Sequence, residues 1–345
     1  MTQDTSTNPA AANAVDPGAL ADVCLFAHFD PGDIVDEWVF YYLAHLRDLS
    51  FAIVFISTSP ISDDDLARLR TLCRDVIVRA NRGLDFASWA AGFQKHETSI
   101  SGRLLLANSS VYGPVRDLAS PLRALTSSPA DFYGFVESID KSPHLQSWFL
   151  LFEPHVARGA LLKAFFGQPF AQMTKTEIIL NGEVALSKKL TAAGLRYQAL
   201  YRPSRAGWAE RLFGSNPMHL LWREMITIEG VPFLKVALLR DNPLGLEDSA
   251  DAEDVIKSRD PVLWTLIAAH QARIAPADPQ QSLSVLSRII WLPRLVYHSL
   301  MRKGYRLHRS RQRAAEACNF VLLAALLVVR APARALRQLW LQRSE

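Results

Sequence analysis

The chain has 345 residues, 49% hydrophobic and 21% charged, so it can bury the core of one large domain with an appendage. Its net charge of +4 is uneven, because residues 281–345 carry twelve Lys or Arg against Glu316 and Glu345, which leaves residues 1–280 net negative. This asymmetry excludes the interpretation of the whole chain as a nucleic-acid-binding protein from its charge alone, and we expect no nucleic acid partner.

Two features bear on the cellular compartment. Residues 1–20 lack an apolar run and a basic start, which predicts a disordered leader rather than a signal peptide. Cys24, Cys73 and Cys318 lie far apart and show no metal or redox spacing. Such an odd, sparse set predicts reduced thiols, and we therefore expect a cytoplasmic protein.

Apolar runs of strand length alternate with amphipathic stretches through the first half of the chain. The predicted strands are 23–29, 51–58, 75–80, 103–110, 131–138 and 147–154. Helical spacing predicts helices that begin at Asp33, Ser62 and Phe86. Asp65 follows Ser62 as in a capping box, and Ala90 and Phe93 share a face with Phe86. Strands that alternate with helices predict an α/β fold, with a mostly parallel, Rossmann-like sheet covered by helices on both faces.

The second half of the chain has a more helical pattern. Further predicted helices are 154–166, 183–193 and 217–228. Residues 241–282 are polar and contain prolines, which predicts a domain boundary there. The predicted organisation is a leader (1–20), a main domain (21–245), a connecting segment (246–282) and a basic, helical C-terminal extension (283–345).

The C-terminal extension combines basic residues with aromatic and aliphatic ones. Its densest apolar run, FVLLAALLVV at 320–329, is too short to span a hydrocarbon core, which needs about 20 residues. Arg and Lys beside Trp, Tyr and Leu suit an amphipathic helix on an anionic membrane surface. A solvated helical bundle and a partner-binding helix are the alternatives. We therefore expect peripheral attachment at the inner face of the cell membrane.

Polar residues follow three of the predicted strands directly. These groups are His28–Asp30, Asn81–Asp85 and Asn108–Ser110. Ligands of such sheets bind outside the carboxyl ends of the strands, so we expect the three groups to border a binding crevice. No Walker-type loop or GxGxxG pattern is present in the sequence, so ATP or dinucleotide binding gains no support.

Seven stretches, in order across roughly residues 22–245, resemble the rhamnan synthesis F family of bacterial polysaccharide glycosyltransferases. They are AHFDPGDIVDEWVFYYLAHL, VRANRGLDFASWAAGF, LLLANSSVYGPV, HLQSWFLLF, GEVALSKKLTAAG, NPMHLLWRE and PFLKVALLRDNP. The resemblance implies a GT-A-like fold and a nucleotide-sugar-dependent transferase that builds O-antigen, capsule or cell-wall glycan. It does not fix the sugar, which we take as rhamnose or similar.

The stretch NRGLD contains the first candidates for binding the donor. A helix that begins after it offers free N–H groups to a diphosphate, and Gly83 permits close approach. Arg82 can bind oxygen atoms with its fork of donors, and Asn81 and Asp85 can bond ribose or base. The structural alternative is that Asp85 is an N-cap and Gly83 a turn residue. The resemblance favours donor binding.

The resemblance also assigns donor binding to His28 and Asp30, after the first strand. Asn108 and Ser110 can hydrogen-bond a sugar or phosphate. Between them, Ser109 stands where the resemblance leads us to expect a metal-binding acid, and a hydroxyl is a poor replacement for a carboxylate. Mg²⁺ or Mn²⁺ is therefore weakly held, held by other groups such as His219, or unnecessary.

Glu183, in LNGEVALSKKL, is the candidate general base, at a predicted junction between a loop and a helix. The alternative is a first-turn Glu that complements the helix dipole. Asp140 is the reserve candidate. Gln146 and Trp148 are candidates for acceptor binding. Lys235, Arg223 and Arg240 could bind the diphosphate, although surface charge is the simpler interpretation of each.

The sequence therefore predicts a glycosyltransferase, inverting at the anomeric carbon, that adds a sugar from a nucleotide-diphosphate donor to a lipid-linked glycan of the cell surface. Two alternatives stay open. One is a non-catalytic scaffold that binds sugar nucleotides or glycans and has lost its metal carboxylate at Ser109. The other is a membrane-surface adaptor in which the C-terminal extension is the functional part.

Overall fold

A computed structural model describes residues 22–139, 141–203, 216–274, 296–306, 313 and 316–321. The strands are β1 Val23–His28, β2 Ala52–Ser57, β3 Asp75–Val78, β4 Leu104–Asn108, β5 Val111–Tyr112, β6 Phe132–Ser138, β7 His144–Leu145, β8 Phe149–Phe152, β9 Tyr197–Tyr201 and β10 Leu234–Lys235. The helices are α1 Glu37–Asp48, α2 Asp63–Leu72, α3 Leu84–His96, α4 Ala119–Leu125, α5 Pro154–Ala157, α6 Ala160–Phe166, α7 Lys175–Ile178, α8 Ala185–Ala192, α9 Pro217–Leu220, α10 Trp222–Thr227, α11 Val236–Arg240, α12 Ala252–Lys257 and α13 Pro261–Ile274. Short 3₁₀ turns occupy Glu97–Ser99, Phe170–Gln172 and Glu247–Asp251, and a π-helical segment occupies Ile179–Val184.

Eight of the ten described strands form one sheet in the order β3-β2-β1-β4-β8-β6-β7, with β9 also beside β6, and β5 and β10 form a separate pair. Strands β1, β2, β3, β4, β6 and β9 run in one direction, and β7 and β8 run against them. This confirms the predicted mixed α/β fold with a mostly parallel sheet. The order places the carboxyl ends of β1, β4 and β6 at one edge, and β1 is where the winding changes direction.

Helices cover both faces of the sheet, as the sequence predicts. Along β1, Cys24 and Phe26 pack into one apolar cluster with α1, whereas Val23 and Leu25 pack into a second cluster with α3. The alternation follows from the two-residue period of a strand. A strand buried on both faces reads as the continuous apolar run seen in the sequence.

Two predicted helix starts have different outcomes. Ser62 caps α2, because its Oγ accepts a hydrogen bond from the N–H of Asp65 at 3.1 Å. The first helix does not begin at Asp33, which has a φ of 57°, but at Glu37 with Asp36 as the N-cap. Asp33 is in a left-handed turn, because the N–H groups of the β1–α1 loop bond to Asp30 instead.

The segment predicted to connect domains packs into the core over residues 246–274. Leu263 and Ile267 of α13 are buried, as is Ile256 of α12, and all three belong to the same apolar cluster as α1. These apolar side chains recur at helical spacing, a signal that the polar and proline-rich composition obscured. Residues 275–282 lie outside the described part of the chain.

The described part of the C-terminal extension also packs on the main domain. Residues 296–306 are helical and bury Tyr297, Met301 and Tyr305. On the same helix, Arg306 bonds Glu224 at 2.7 Å and Arg302 pairs with Asp248. Most of the predicted extension, including residues 322–345, lies outside the described residues, as does the predicted leader. None of the described helices has the length and apolar content needed to cross a bilayer.

Candidate functional site

The turn after β4 is joined to a lysine from a distant part of the chain. Strand β5 follows this turn and pairs antiparallel with β10, which places Lys235 opposite Val111. The N–H of Val236 donates to the carbonyl of Ser110 at 3.0 Å. Phe233 and Leu234, the two residues before Lys235, are fully buried. The ladder therefore fixes Lys235 beside the turn.

A chain of hydrogen bonds runs from α3 through this turn to β10. Asn108 donates from Nδ2 to Asp85 Oδ2 at 2.7 Å, and its Oδ1 accepts from the N–H and hydroxyl of Ser110 at 3.1 and 2.7 Å. Lys235 Nζ donates to Ser110 Oγ at 3.3 Å. We call Asp85, Asn108, Ser110, Lys235 and Glu183 the open cluster. All of these except Lys235 were predicted site residues, and the structure brings them together.

The start of α3 aims Asp85 into the open cluster. Gly83 is the N-cap residue, with a φ of 79°, and a Cβ there would lie 2.6 Å from the carbonyl oxygen of Phe170. Asp85 comes two residues later and makes no capping bond, so the N-cap alternative for it is wrong. Asn81 and Arg82 lie exposed in the preceding turn, which puts them at the solvent side of this helix start.

Glu183 lies inside a continuous helical run over residues 175–192, not at the predicted junction between a loop and a helix. It occupies the π-helical segment, a rare geometry that is frequent at functional sites. Glu183 Oε1 accepts hydrogen bonds from the N–H and the hydroxyl of Ser147, at 2.8 and 3.0 Å. Within the described residues, no donor contacts its second oxygen, Oε2. The π-helical segment therefore presents Glu183 with Oε1 held by Ser147 and with Oε2 available for a ligand.

A cavity of about 130 Å³ adjoins the open cluster, between the end of β6 and the π-helical segment. Its lining residues are Ser138, Lys141, His144, Gln146, Ile179, Glu183, Val184, Asn216 and Lys235. Gln146 is fixed in this wall, because its Nε2 donates to Asn216 Oδ1 and its Oε1 accepts from Trp148 Nε1, both at 2.8 Å. Trp148 is 1% exposed, so it packs in the core and supports the wall from behind.

Withdrawal from water shifts the protonation of the open cluster. It lowers the pKa of Lys235 from 10.5 to about 8, against the opposing attraction of Glu183 and Asp85. It raises the pKa of Asp85 from 3.8 to about 6, although the Asn108 amide and Lys235 act to lower that pKa. Burial, with repulsion from Lys235, also lowers the pKa of His219 to about 4. Strongly shifted groups beside a cavity are typical of functional sites.

The predicted donor residues His28 and Asp30 lie at the end of β1, where Asp30 belongs to a second group of charges. Asp30 accepts from the two terminal guanidinium nitrogens of Arg273, at 3.0 and 2.5 Å, and one of these nitrogens also lies 2.5 Å from Asp36. His270 Nε2 lies 3.7 Å from Asp30. We call Asp30, Asp36, His270 and Arg273 the closed cluster. It ties α13 to the loop after β1.

Most bonding groups of the closed cluster have partners. Burial acts to raise the pKa of Asp30, but the hydrogen bonds and charge of Arg273, together with the N–H groups of Gly32 and Ile34, lower it below its usual value. His270 contacts the hydroxyl of Tyr112, which also accepts from Gln271 at 2.6 Å. His28 bonds the hydroxyl of Ser57 at 3.0 Å, and burial lowers its pKa to about 4. These bonds hold the carboxyl end of β1 in place.

The residues present fit a divalent metal poorly at both clusters. Asp30, Asp36 and His270 offer ligand atoms within 4.8 Å of one another, but Arg273 already occupies both carboxylates. After β4, the Ser109 hydroxyl accepts from the N–H of Phe29 at 3.3 Å, the Asp85 carboxylate is bonded to the Asn108 amide, and the Lys235 ammonium is bonded to Ser110. A metal there would sit beside a like charge.

Sequence reasoning missed the importance of several residues around the cavity. For Lys235, Arg223 and Arg240 the sequence favoured surface charge over diphosphate binding. Lys235 instead lines the cavity and is partly buried, whereas Arg223 and Arg240 form exposed pairs with neighbouring acids. A lone Lys within the apolar run VPFLKVALL was the available signal. Ser147 and Asn216 gave none, because their roles depend on long-range contacts. Asp140 lies outside the described residues.

The chain belongs to the rhamnan synthesis protein F family, whose model matches residues 53–291. It is 28% identical over 189 residues to the uncharacterized protein y4gN of Sinorhizobium fredii, covering 53% of this chain and about half, 49%, of that protein. It is 26% identical over 267 residues to the virulence protein VirA of Vibrio anguillarum, covering 66% and 84%. The family resemblance predicted from the sequence is thus confirmed.

Solved structures of low similarity were also found. A putative nucleotide-diphospho-sugar transferase from Desulfovibrio desulfuricans is 14% identical, with a TM-score of 0.34, and covers 52% of this chain and 79% of its own. A mannosyltransferase from Pyrobaculum calidifontis, in complex with GDP-Man and Mn²⁺, is 13% identical, with a TM-score of 0.36 and coverage of 89% and 88%. The fold class of this chain rests on its own sheet topology.

Proposed function

We propose that this protein transfers a sugar, rhamnose or similar, from a nucleotide-diphosphate donor to a hydroxyl of a growing cell-surface polysaccharide. Membership of the rhamnan synthesis protein F family supports the class of reaction. The observation that carries the proposal is that Glu183 and Lys235 line one cavity, at the carboxyl edge of the sheet. A carboxylate and an ammonium on one hollow supply both charges that such a transfer needs.

The chemistry assigned to Glu183 follows from its two oxygens. Ser147 holds Oε1, which fixes the direction of the carboxylate. Oε2 then accepts the proton of the acceptor hydroxyl as that oxygen attacks the anomeric carbon. The bond between this carbon and the diphosphate breaks, and the diphosphate leaves with the bonding electrons. Attack from the face opposite the leaving group inverts the anomeric centre.

Other residues of the edge bind the donor and acceptor in this proposal. Asn108 and Ser110 hydrogen-bond the donor, and Asp85 bonds its ribose or base. Asn81 and Arg82, in the exposed turn held open by Gly83, contact the nucleotide from the solvent side. Gln146 orients the acceptor sugar. His28 and Asp30 act indirectly, by holding the end of β1.

The acceptor and the location are also part of the proposal. A lipid-linked glycan at the inner face of the cell membrane agrees with a cytoplasmic donor and with a basic C-terminal extension. The described helix of that extension uses Arg302 and Arg306 to pair with acids of the main domain. Contact with an anionic membrane is therefore assigned to the basic residues beyond it.

A donor panel tests the proposed function. Purified protein is incubated with UDP-, GDP- and dTDP-linked hexoses and a short polysaccharide acceptor, and release of the nucleoside diphosphate is measured. We expect release from one donor, dependent on acceptor. Donor binding without any turnover would contradict an enzyme and indicate a scaffold. Vesicle binding without donor binding would indicate an adaptor.

A further inference from the structure

Lys235 places an ammonium beside the turn after β4, in the wall of the cavity. Its Nζ is bonded to Ser110 in the turn after β4, and the other polar groups of that turn are an amide and hydroxyls. Neutral oxygens of this kind are weak ligands for Mg²⁺ or Mn²⁺. The positive charge beside this turn is therefore the Lys235 ammonium.

The backbone of β10 holds this cation in one position. The pairing of β10 with β5 and the fully buried Phe233 and Leu234 leave only the Lys235 side chain to reach the cavity. Its ammonium lies 5.7 Å from the ring centre of Trp148, whose Nε1 is itself bonded to Gln146. A preorganised charge of this kind costs little reorganisation when an anion binds.

The charges on the described cavity wall favour an anion. Lys141 and Lys235 line the cavity together with a single carboxylate, Glu183. Asp85 is not part of this lining, and because burial raises its pKa to about 6, an arriving anion raises that pKa further and increases the protonated fraction of Asp85. His219, also close to Lys235, is neutral at pH 7.

We propose that the Lys235 ammonium binds the donor diphosphate in place of a divalent cation, so that donor binding and sugar transfer need no metal. The inference rests on the proposed function. In the transfer step, the Lys235 N–H groups bond the oxygen that takes up the electron pair of the broken bond. Charge-assisted bonds of this kind are stronger than neutral ones and strengthen as the leaving oxygen gains charge.

The test measures binding of free nucleoside diphosphates (UDP, GDP and dTDP) to the full chain by calorimetry, with EDTA and with Mn²⁺. We expect one of them to bind, with a dissociation constant that EDTA leaves unchanged. Lys235→Met should weaken this binding about 10- to 100-fold, and Mn²⁺ should not restore it. Lys235→Arg should recover part of the loss. The control, Lys257→Met, removes an exposed lysine paired with Glu253 and should bind as the wild type does.

The melting temperature of each ligand-free variant shows whether weaker binding comes from unfolding or from the loss of the charge. Lys235→Met should melt no lower than the wild type, because withdrawal from water disfavours the ammonium that it removes. Binding that appears only with Mn²⁺ would overturn this inference and leave the proposed function standing. Equal binding by wild type and Lys235→Met would also overturn it. No binding of any nucleoside diphosphate or nucleotide sugar, with or without metal, would overturn both.

Discussion

Two groups of charges at one edge of the sheet differ in how completely they are neutralised. In the closed cluster, one guanidinium lies within 3.0 Å of two carboxylates, and Asp30 is 5% exposed. In the open cluster, the Lys235 ammonium makes one hydrogen bond to the described residues, to a neutral hydroxyl, and faces a cavity. The first arrangement uses its charges within the fold. The second leaves charge available for a ligand.

The pKa shifts show the same contrast. In the closed cluster, partners stabilise the charged forms of Asp30 and Arg273, since the pKa of Asp30 is lowered and that of Arg273 is raised. Desolvation dominates in the open cluster, since Asp85 has a raised pKa and Lys235 a lowered one. A site that binds a charged ligand holds such unfavourable charge until the ligand arrives. The following predictions test whether the closed cluster stabilises the fold and the open cluster binds the ligand.

The largest effect is expected at Glu183. Glu183→Gln keeps the shape and a carbonyl oxygen for Ser147 but cannot accept the acceptor proton, so kcat should fall about 10²- to 10⁴-fold with little change in donor affinity. The control is Glu177→Gln in the same helical run, where Glu177 forms a capping box with Thr174. Steady-state kinetics measure kcat and KM of both variants against the wild type. A Glu183→Gln enzyme with wild-type kcat would remove this residue from the reaction.

Arg273→Met should have the largest effect on stability. It leaves Asp30 and Asp36 without their shared guanidinium, which should lower the free energy of unfolding by about 3 kcal/mol. Affinity for nucleoside diphosphate should change little wherever the variant is folded. Urea denaturation measures the loss. Arg240→Met, which removes an exposed pair with Asp241, should cost less than about 1 kcal/mol. Equal losses in the two variants would contradict the closed cluster as a structural anchor.

Gly83→Ala should destabilise the turn that presents Asp85. The new Cβ combines a φ of 79° with a contact of 2.6 Å to the Phe170 carbonyl, so we expect a loss of about 1–3 kcal/mol. Gly194→Ala is the matched control, because Gly194 also has a positive φ, of 86°, but no described residue lies within 4 Å of the added Cβ. The difference between the two melting temperatures isolates the close contact. A smaller loss at position 83 than at position 194 would be inconsistent with that contact.

The smallest effect concerns the protonation of Asp85. Burial raises the pKa of Asp85 to about 6, so the folded protein favours the protonated carboxyl. The stability that this protonated form provides is fully present below pH 3.8 and is lost as the pH rises through 6. Asp85→Asn should therefore stabilise the ligand-free protein at pH 7, on the order of 1 kcal/mol, and much less at pH 4. Asp131→Asn should have the opposite sign at pH 7, because the N–H of Arg196 lowers the pKa of Asp131. Denaturation at the two pH values measures both. No gain for Asp85→Asn would argue against an unfavourable charge there.

The sequence predicted the sheet well for a physical reason. Runs such as VCLFAH and AIVFIS are buried on both faces, so their apolar content alone marks them as strands. It predicted Asp85, Asn108 and Ser110 for a related reason, because parallel strands bring residues after their carboxyl ends to one edge.

The remaining features depend on contacts between distant segments. Lys235 reaches the site through the pairing of β10 with β5, a ladder of only two residues on each side. The π-helical turn that carries Glu183 has no sequence signature comparable to a capping box. The closed cluster joins Asp30 to Arg273 across 243 positions, and local patterns carry no information at that distance.

The crystal structure of Glu183→Gln with the donor that the panel identifies would test the central claim most directly. The quantity to measure is the distance from Lys235 Nζ to the nearest diphosphate oxygen. We predict a hydrogen bond of about 3 Å, with the anomeric carbon in the cavity beside residue 183. A diphosphate bound against Arg273, or held by a metal ion away from Lys235, would contradict the division of charge between the two clusters.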